Sequence, residues 1–127
     1  MREDLAYKGG QQQVIHLEAD LFESIQWAKQ NNKLWAFSLS NAGSRYFEDR
    51  CNVSQLDELD WDAINNNNWV NCKDGKQAEF LMEYHFPWSL IKRVGVINKS
   101  ISGQVSGILS NLNAHKPLIE IMNNWYY

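Results

Sequence analysis

The run Leu34-Trp35-Ala36-Phe37-Ser38-Leu39 constrains the fold more than any other stretch of this chain. It is apolar almost throughout, the pattern of a central strand rather than of a strand with one face in water. Such a strand needs strands beside it and helices over it, and the flanking sequence supplies both. Val14, Ile15 and Leu17 around His16 read as a first strand. Asp20 with Glu23 resembles a capping box, and Leu21, Ile25 and Ala28 then repeat at helical spacing to about Gln30. Asn31-Asn32-Lys33 turns the chain into the apolar run.

From Ser40 to Gly75 the pattern loosens. Leu56, Leu59, Ala63 and Ile64 allow one or two short helices starting near Ser54. The run Asn65 to Asn68 favours neither helix nor strand. A stretch this long without a strand is unusual in a compact domain, and such insertions are often functional. Regular structure returns at Lys76-Gln77-Ala78-Glu79-Phe80-Leu81-Met82. Alternation along this strand puts Ala78, Phe80, Met82 and Tyr84 on one face, and Gln77, Glu79, Leu81 and Glu83 on the other. Pro87 opens a helical turn, and Val94 to Ile97 is a short strand. Ser100 is placed to cap a helix with an apolar stripe of Ile101, Val105, Ile108, Leu109 and Leu112. Gly103 and Gly107 weaken that helix and suit close packing against a sheet. A last strand runs from Leu118 to Met122. Five strands and about four helices in this order predict a single α+β domain over residues 1–127.

Composition excludes more than it selects. A net charge of −3 argues against coating nucleic acid by bulk electrostatics, although Arg45, Arg50, Lys73 and Lys76 bracket the loop-rich stretch. No apolar run approaches the ~20 residues of a membrane span, and no amino-terminal segment reads as a signal peptide. A cytoplasmic protein is the expectation. Cys51 and Cys72 lack metal-ligand spacing, and His16, His85 and His115 are far apart, so no metal site is expected. Asp57, Glu58, Asp60 and Asp62 read most simply as a solvated helix face. Of the six tryptophans, Trp61 and Trp69 lie beside polar loop sequence, where core packing and stacking on a ligand are both open readings. No phosphate loop, dinucleotide fingerprint, nucleophile elbow or zinc-protease helix is present. Glu79 is the candidate catalytic group, a carboxylate on a stiff strand after a long irregular segment; a solvated sheet face would look the same.

Several segments together carry a resemblance. They are Tyr7-Lys8-Gly9-Gly10-Gln11, Val14-Ile15-His16-Leu17, Trp35 to Ala42, Leu56-Asp57-Glu58-Leu59-Asp60-Trp61, Gly75 to Leu81, Phe86-Pro87-Trp88 and Trp125-Tyr126-Tyr127. In order and spacing they resemble the DarT-type DNA ADP-ribosyltransferase toxins, over nearly all of the chain. The resemblance implies an ADP-ribosyltransferase-like α+β fold, a mixed or antiparallel sheet with flanking helices. It implies transfer of ADP-ribose from NAD onto a base in single-stranded DNA, thymidine in the branch that this sequence most resembles, with a macrodomain antitoxin of the DarG kind as partner. Glu79 would be the catalytic glutamate, and residues 41–79 the recognition loop. Within that loop residue type alone suits Asn41 to a base edge, Tyr46, Trp61 or Trp69 to stacking, and Arg45 or Lys76 to phosphate; only Glu79 is carried over from the family. Family members also carry an amino-terminal part with a histidine that opens the NAD pocket and an arginine that accepts a proton from the base. This sequence begins a few residues before Tyr7 and matches the carboxyl-terminal two-thirds. The expectation is a fold lacking that part, and the alternative function is a catalytically inactive module that binds single-stranded DNA or an antitoxin.

Overall fold

The computed structural model describes residues 10–40, 49–66 and 69–126. Among them the chain forms two three-stranded sheets, each in its own compact unit. One unit is built from residues up to Ser24 and from Pro87 onward; the other is Ile25–Phe86.

The first unit centres on β5 (Ile91–Val96), with β1 (His16–Ala19) antiparallel on one side and β6 (Leu118–Ile121) parallel on the other. A parallel pair needs a crossover, and α4 (Lys99–Ser110) supplies it. Ile91, Val94 and Val96 are buried, each removal from water stabilising the fold by about 1.5–3 kcal/mol. The opposite face carries a polar lattice. Arg93 bonds Glu18 on β1 at 2.6 and 3.0 Å and Glu120 on β6 at 3.3 Å, tying three strands together. Hydrogen bonding to Glu18 holds the guanidinium above its ordinary pKa, against the opposing pull of desolvation. The Trp125 ring lies 4.9 Å from the Arg93 guanidinium and covers Gly95, where a Cβ would come within 2.4 Å of the indole. His16 meets the rings of Trp125 and Tyr126 edge-on, and the Tyr126 hydroxyl donates to the Val14 carbonyl. Trp125 and Tyr126 thus form a clasp over the sheet. Burial pushes the Tyr126 phenol up.

In the second unit β2 (Trp35–Ser38) is central, flanked antiparallel by β3 (Asp49–Arg50) and β4 (Phe80–Met82). The apolar run is therefore the middle strand that its composition requires. Trp35 stacks near Phe37 and Phe80, with centroids 6.4 and 6.1 Å apart, and Phe80 meets Phe86 edge-on. Between β3 and β4 a 3-10 turn (Val53–Glu58) is followed by α2 (Trp61–Asn65) and α3 (Trp69–Lys76). Gly75 lets α3 close on α2, since a Cβ there would lie 2.7 Å from that of Ala63.

Helix α1 (Leu21–Gln30) matches its periodicity, and Asp20 caps it by accepting from the Glu23 amide at 2.9 Å. Several expectations need correction. The first strand lies at His16–Ala19, two residues later than the apolar cluster suggests. Asn98, not Ser100, caps α4, accepting from the Ile101 amide at 3.0 Å. Ile108 is 67% exposed, off the buried face that Leu109 occupies. Gly103 and Gly107 have open space where a Cβ would stand, so close packing does not explain them. The strand expected from Lys76 starts only at Phe80, because Lys76 ends α3 and Gln77 is a turn. The loop-rich stretch holds a strand after all, β3, two residues long.

Candidate active site

Glu79 sits one residue before β4, where the ladder with β2 continues through Ser38. The Ser38 amide donates to the Glu79 carbonyl at 2.8 Å, and the Glu79 amide donates to Ser38 Oγ at 3.0 Å. The same hydroxyl donates to the Ser40 carbonyl. Ser38 is fully buried, while Glu79 is exposed. A buried residue thus holds the backbone on both sides of a solvent-facing carboxylate, with its hydroxyl on the amide and its own amide on the carbonyl. That is a rigid mounting for a charged group.

The faces of β4 follow alternation. Phe80 and Met82 point with Trp35 and Phe37 into the aromatic cluster, and Leu81, which opposes Ala36, is 41% exposed on the Glu79 side. Tyr84 breaks the pattern: it has φ 66° and is 85% exposed instead of joining the apolar face.

The loop residues divide. Asn41, Arg45 and Tyr46 lie outside the described residues, as does the side chain of Trp69, whose backbone opens α3. Trp61 is 43% exposed, and its indole N–H donates to the Leu56 carbonyl at 3.0 Å, leaving an anchored ring partly open to solvent. The Lys76 ammonium donates to the Ile64 carbonyl at 3.1 Å, which ties α3 back to α2 three residues before Glu79. Arg50 makes a two-pronged bond to Glu58 at 3.0 and 3.1 Å. The acidic run is therefore more than a solvated face. Glu58 holds Arg50, and Asp60 caps α2 by accepting from the Ala63 amide at 2.9 Å. Ser38 was invisible to motif reasoning, although a lone hydroxyl in an apolar strand is a signal of a buried polar contact.

Among the described residues no group of three or more His, Cys, Asp or Glu is placed to hold a metal, and no helix is long and apolar enough to cross a membrane. The family model described as ssDNA thymidine ADP-ribosyltransferase, DarT, matches residues 1–127. The chain belongs to the DarT family. It is 34% identical over 122 residues to a DNA ADP-ribosyl transferase of Thermus aquaticus, covering 95% of this chain and 53% of that protein. A DNA ADP-ribosyl transferase of a Thermus species is 32% identical, with 95% and 58% covered. Among solved structures, Thermus sp. 2.9 DarT in complex with NAD+ superposes with a TM-score of 0.85 at 28% identity, covering 95% of this chain and 61% of that one. The same protein in complex with ADP-ribosylated ssDNA gives 0.85 as well, over 58% of its length. This DarT-family chain thus spans a little over half the length of the curated relatives it matches.

Proposed function

We propose that this chain carries the catalytic glutamate and the recognition loop of an NAD-dependent transferase that places ADP-ribose on a base, thymidine, in single-stranded DNA. The observation that supports the reading most is Glu79, an exposed carboxylate on a backbone clamped by buried Ser38, in a chain of the DarT family. Its residue types fit the donor. A fixed carboxylate can accept a ribose hydroxyl and stabilise the positive charge that builds on the sugar as the nicotinamide bond breaks. The new bond forms to the base, which gives up a proton. Loss of one such preorganised group costs about 10²–10³ in rate. The stretch 41–79 is the recognition loop of a single domain. In it Asn41, Arg45, Tyr46, Trp61, Trp69 and Lys76 are the DNA-contacting residues by type. The reading extends to a cytoplasmic toxin held in check by a macrodomain antitoxin.

The test is incubation with NAD and a thymidine-containing single strand, followed by mass spectrometry for an added ADP-ribose. Transfer that Glu79→Ala abolishes is the expected result; transfer undiminished in that variant refutes the role of Glu79. The partial span of the relatives favours a second reading, a module that binds single-stranded DNA without turnover. DNA binding without transfer marks that case, whereas transfer gained when the relatives' remaining segment is supplied in trans, and abolished by Glu79→Ala, supports the first reading.

A further inference from the structure

Tyr84 is held in a conformation that its own packing does not reward. Its φ of 66° lies in the left-handed region, uncommon for a bulky residue. The His85 amide donates to the Glu83 carbonyl at 2.9 Å, closing a three-residue turn around it. A γ-turn of positive φ is rare and strained. Strain of this kind persists where surrounding contacts enforce it, and it clusters at ligand-binding positions. Here those contacts are explicit. The Glu83 amide donates to the Leu34 carbonyl at 2.8 Å, and the Glu83 carboxylate accepts from the Leu34 amide at 2.7 Å. Across the same end of the β2–β4 ribbon, Asn32 has φ 53° and the Lys33 amide donates to the Ala28 carbonyl at 2.8 Å. Two left-handed residues thus fix one corner.

What the corner presents is a ring, a cation and an apolar side chain. Tyr84 is 85% exposed and Leu34 75% exposed, so neither gains from burial. The Lys33 ammonium stands 4.9 Å over the tyrosine ring. An exposed aromatic with a cation beside it suits a planar group that carries an anion. Lys33 covers one face of the ring and disfavours a second cation there, and at 85% exposure the opposite face stays open to a planar group. The Glu83 carboxylate, the acidic neighbour on this turn, is turned onto the Leu34 amide.

We infer that the Lys33–Tyr84 corner is a docking subsite for a nucleobase and its phosphate, the base stacking on Tyr84 and the phosphate meeting Lys33. Five residues separate it from Glu79, roughly 16 Å at about 3.3 Å each where the chain is extended, so it is a subsite separate from the reacting group. The inference rests on the proposed function, in which two ligands carry this chemistry: the DNA strand and the adenosine half of NAD.

Fluorescence anisotropy with a labelled thymidine-containing oligonucleotide, and calorimetry with NAD, separate the sources. Tyr84→Gly removes the ring and suits the positive φ. It is expected to weaken one of the two ligands about 5- to 140-fold, the range of one lost base stack, without lowering the thermal midpoint. Tyr84→Trp retains affinity. If the oligonucleotide is the one affected, Lys33→Ala weakens it less and flattens its salt dependence by about 0.7 in log–log slope. Loss of oligonucleotide affinity assigns a DNA base, and loss confined to NAD assigns its adenine. Affinity for both ligands unchanged in Tyr84→Gly, binding of neither by the parent chain, or a midpoint lowered by several degrees overturns the inference. Glu79→Ala keeps the two readings apart. If that variant still transfers ADP-ribose, the proposed chemistry fails while the Tyr84 binding result stands by itself.

Discussion

Replacing Ser38 with alanine removes one oxygen and two hydrogen bonds at the mounting of Glu79. The hydroxyl accepts from the Glu79 amide at 3.0 Å and donates to the Ser40 carbonyl, and Ser38 is fully buried. Each bond contributes about 0.5–1.5 kcal/mol net, so the loss should be about 1–3 kcal/mol. Because Glu79 itself is exposed, water can take over part of its amide's demand, which places the expectation in the lower half of that range. The Ser38 amide still donates to the Glu79 carbonyl, so the strand pairing survives and the change stays local. Urea denaturation should report the stability loss. Amide exchange should show residue 79 opening about fivefold more readily, the equivalent of about 1 kcal/mol, while Phe37 and Phe80 keep their protection. Ser24→Ala is the control. Ser24 is equally hidden, but its hydroxyl bonds the Asp20 carbonyl at 2.7 Å, one turn back on its own helix. Such back-bonding contributes little, and that variant should be near neutral. If Ser38→Ala matches the parent in stability and in exchange at residue 79, the clamp does not hold Glu79 and the reasoning is wrong.

Gly95→Ala places a Cβ 2.4 Å from the Trp125 ring; overpacking of this kind costs about 1–3 kcal/mol, and adding Trp125→Ala should recover part of it in a denaturation cycle. Gly75→Ala meets the Ala63 Cβ at 2.7 Å and should loosen α3 from α2, lowering the denaturation midpoint and the protection of the α2 amides. Burial raises the Tyr126 phenol above its ordinary value, so the folded state favours the neutral ring. That contribution is complete below the unfolded value of about 10 and is lost as pH climbs through the raised folded value. Stability should therefore fall above about pH 10, and the fall should be shallower in Tyr126→Phe, as followed by denaturation at stepped pH.

Local chemistry decided a good deal by itself. The period of Leu21, Ile25 and Ala28 with the Asp20 cap specifies α1, because a helix satisfies its hydrogen bonds within its own segment. The nearly unbroken apolar run specifies a central strand, and β2 is one. Alternation around Phe80 separates the aromatic cluster from the Glu79 side. Nonlocal partners decided the rest. Strand β3 is two residues of no strand propensity, Asp49 and Arg50, that exist as a strand only against Phe37 and Ser38. Glu79 is held by a serine 41 positions away. Gly95 is required by a tryptophan near the end of the chain, and Tyr84 leaves its expected face because Glu83 is pinned to Leu34 across the ribbon. Periodicity records which way a side chain faces along its own segment. Which distant residue it meets there is a property of the folded chain, and the candidate site is made of such meetings.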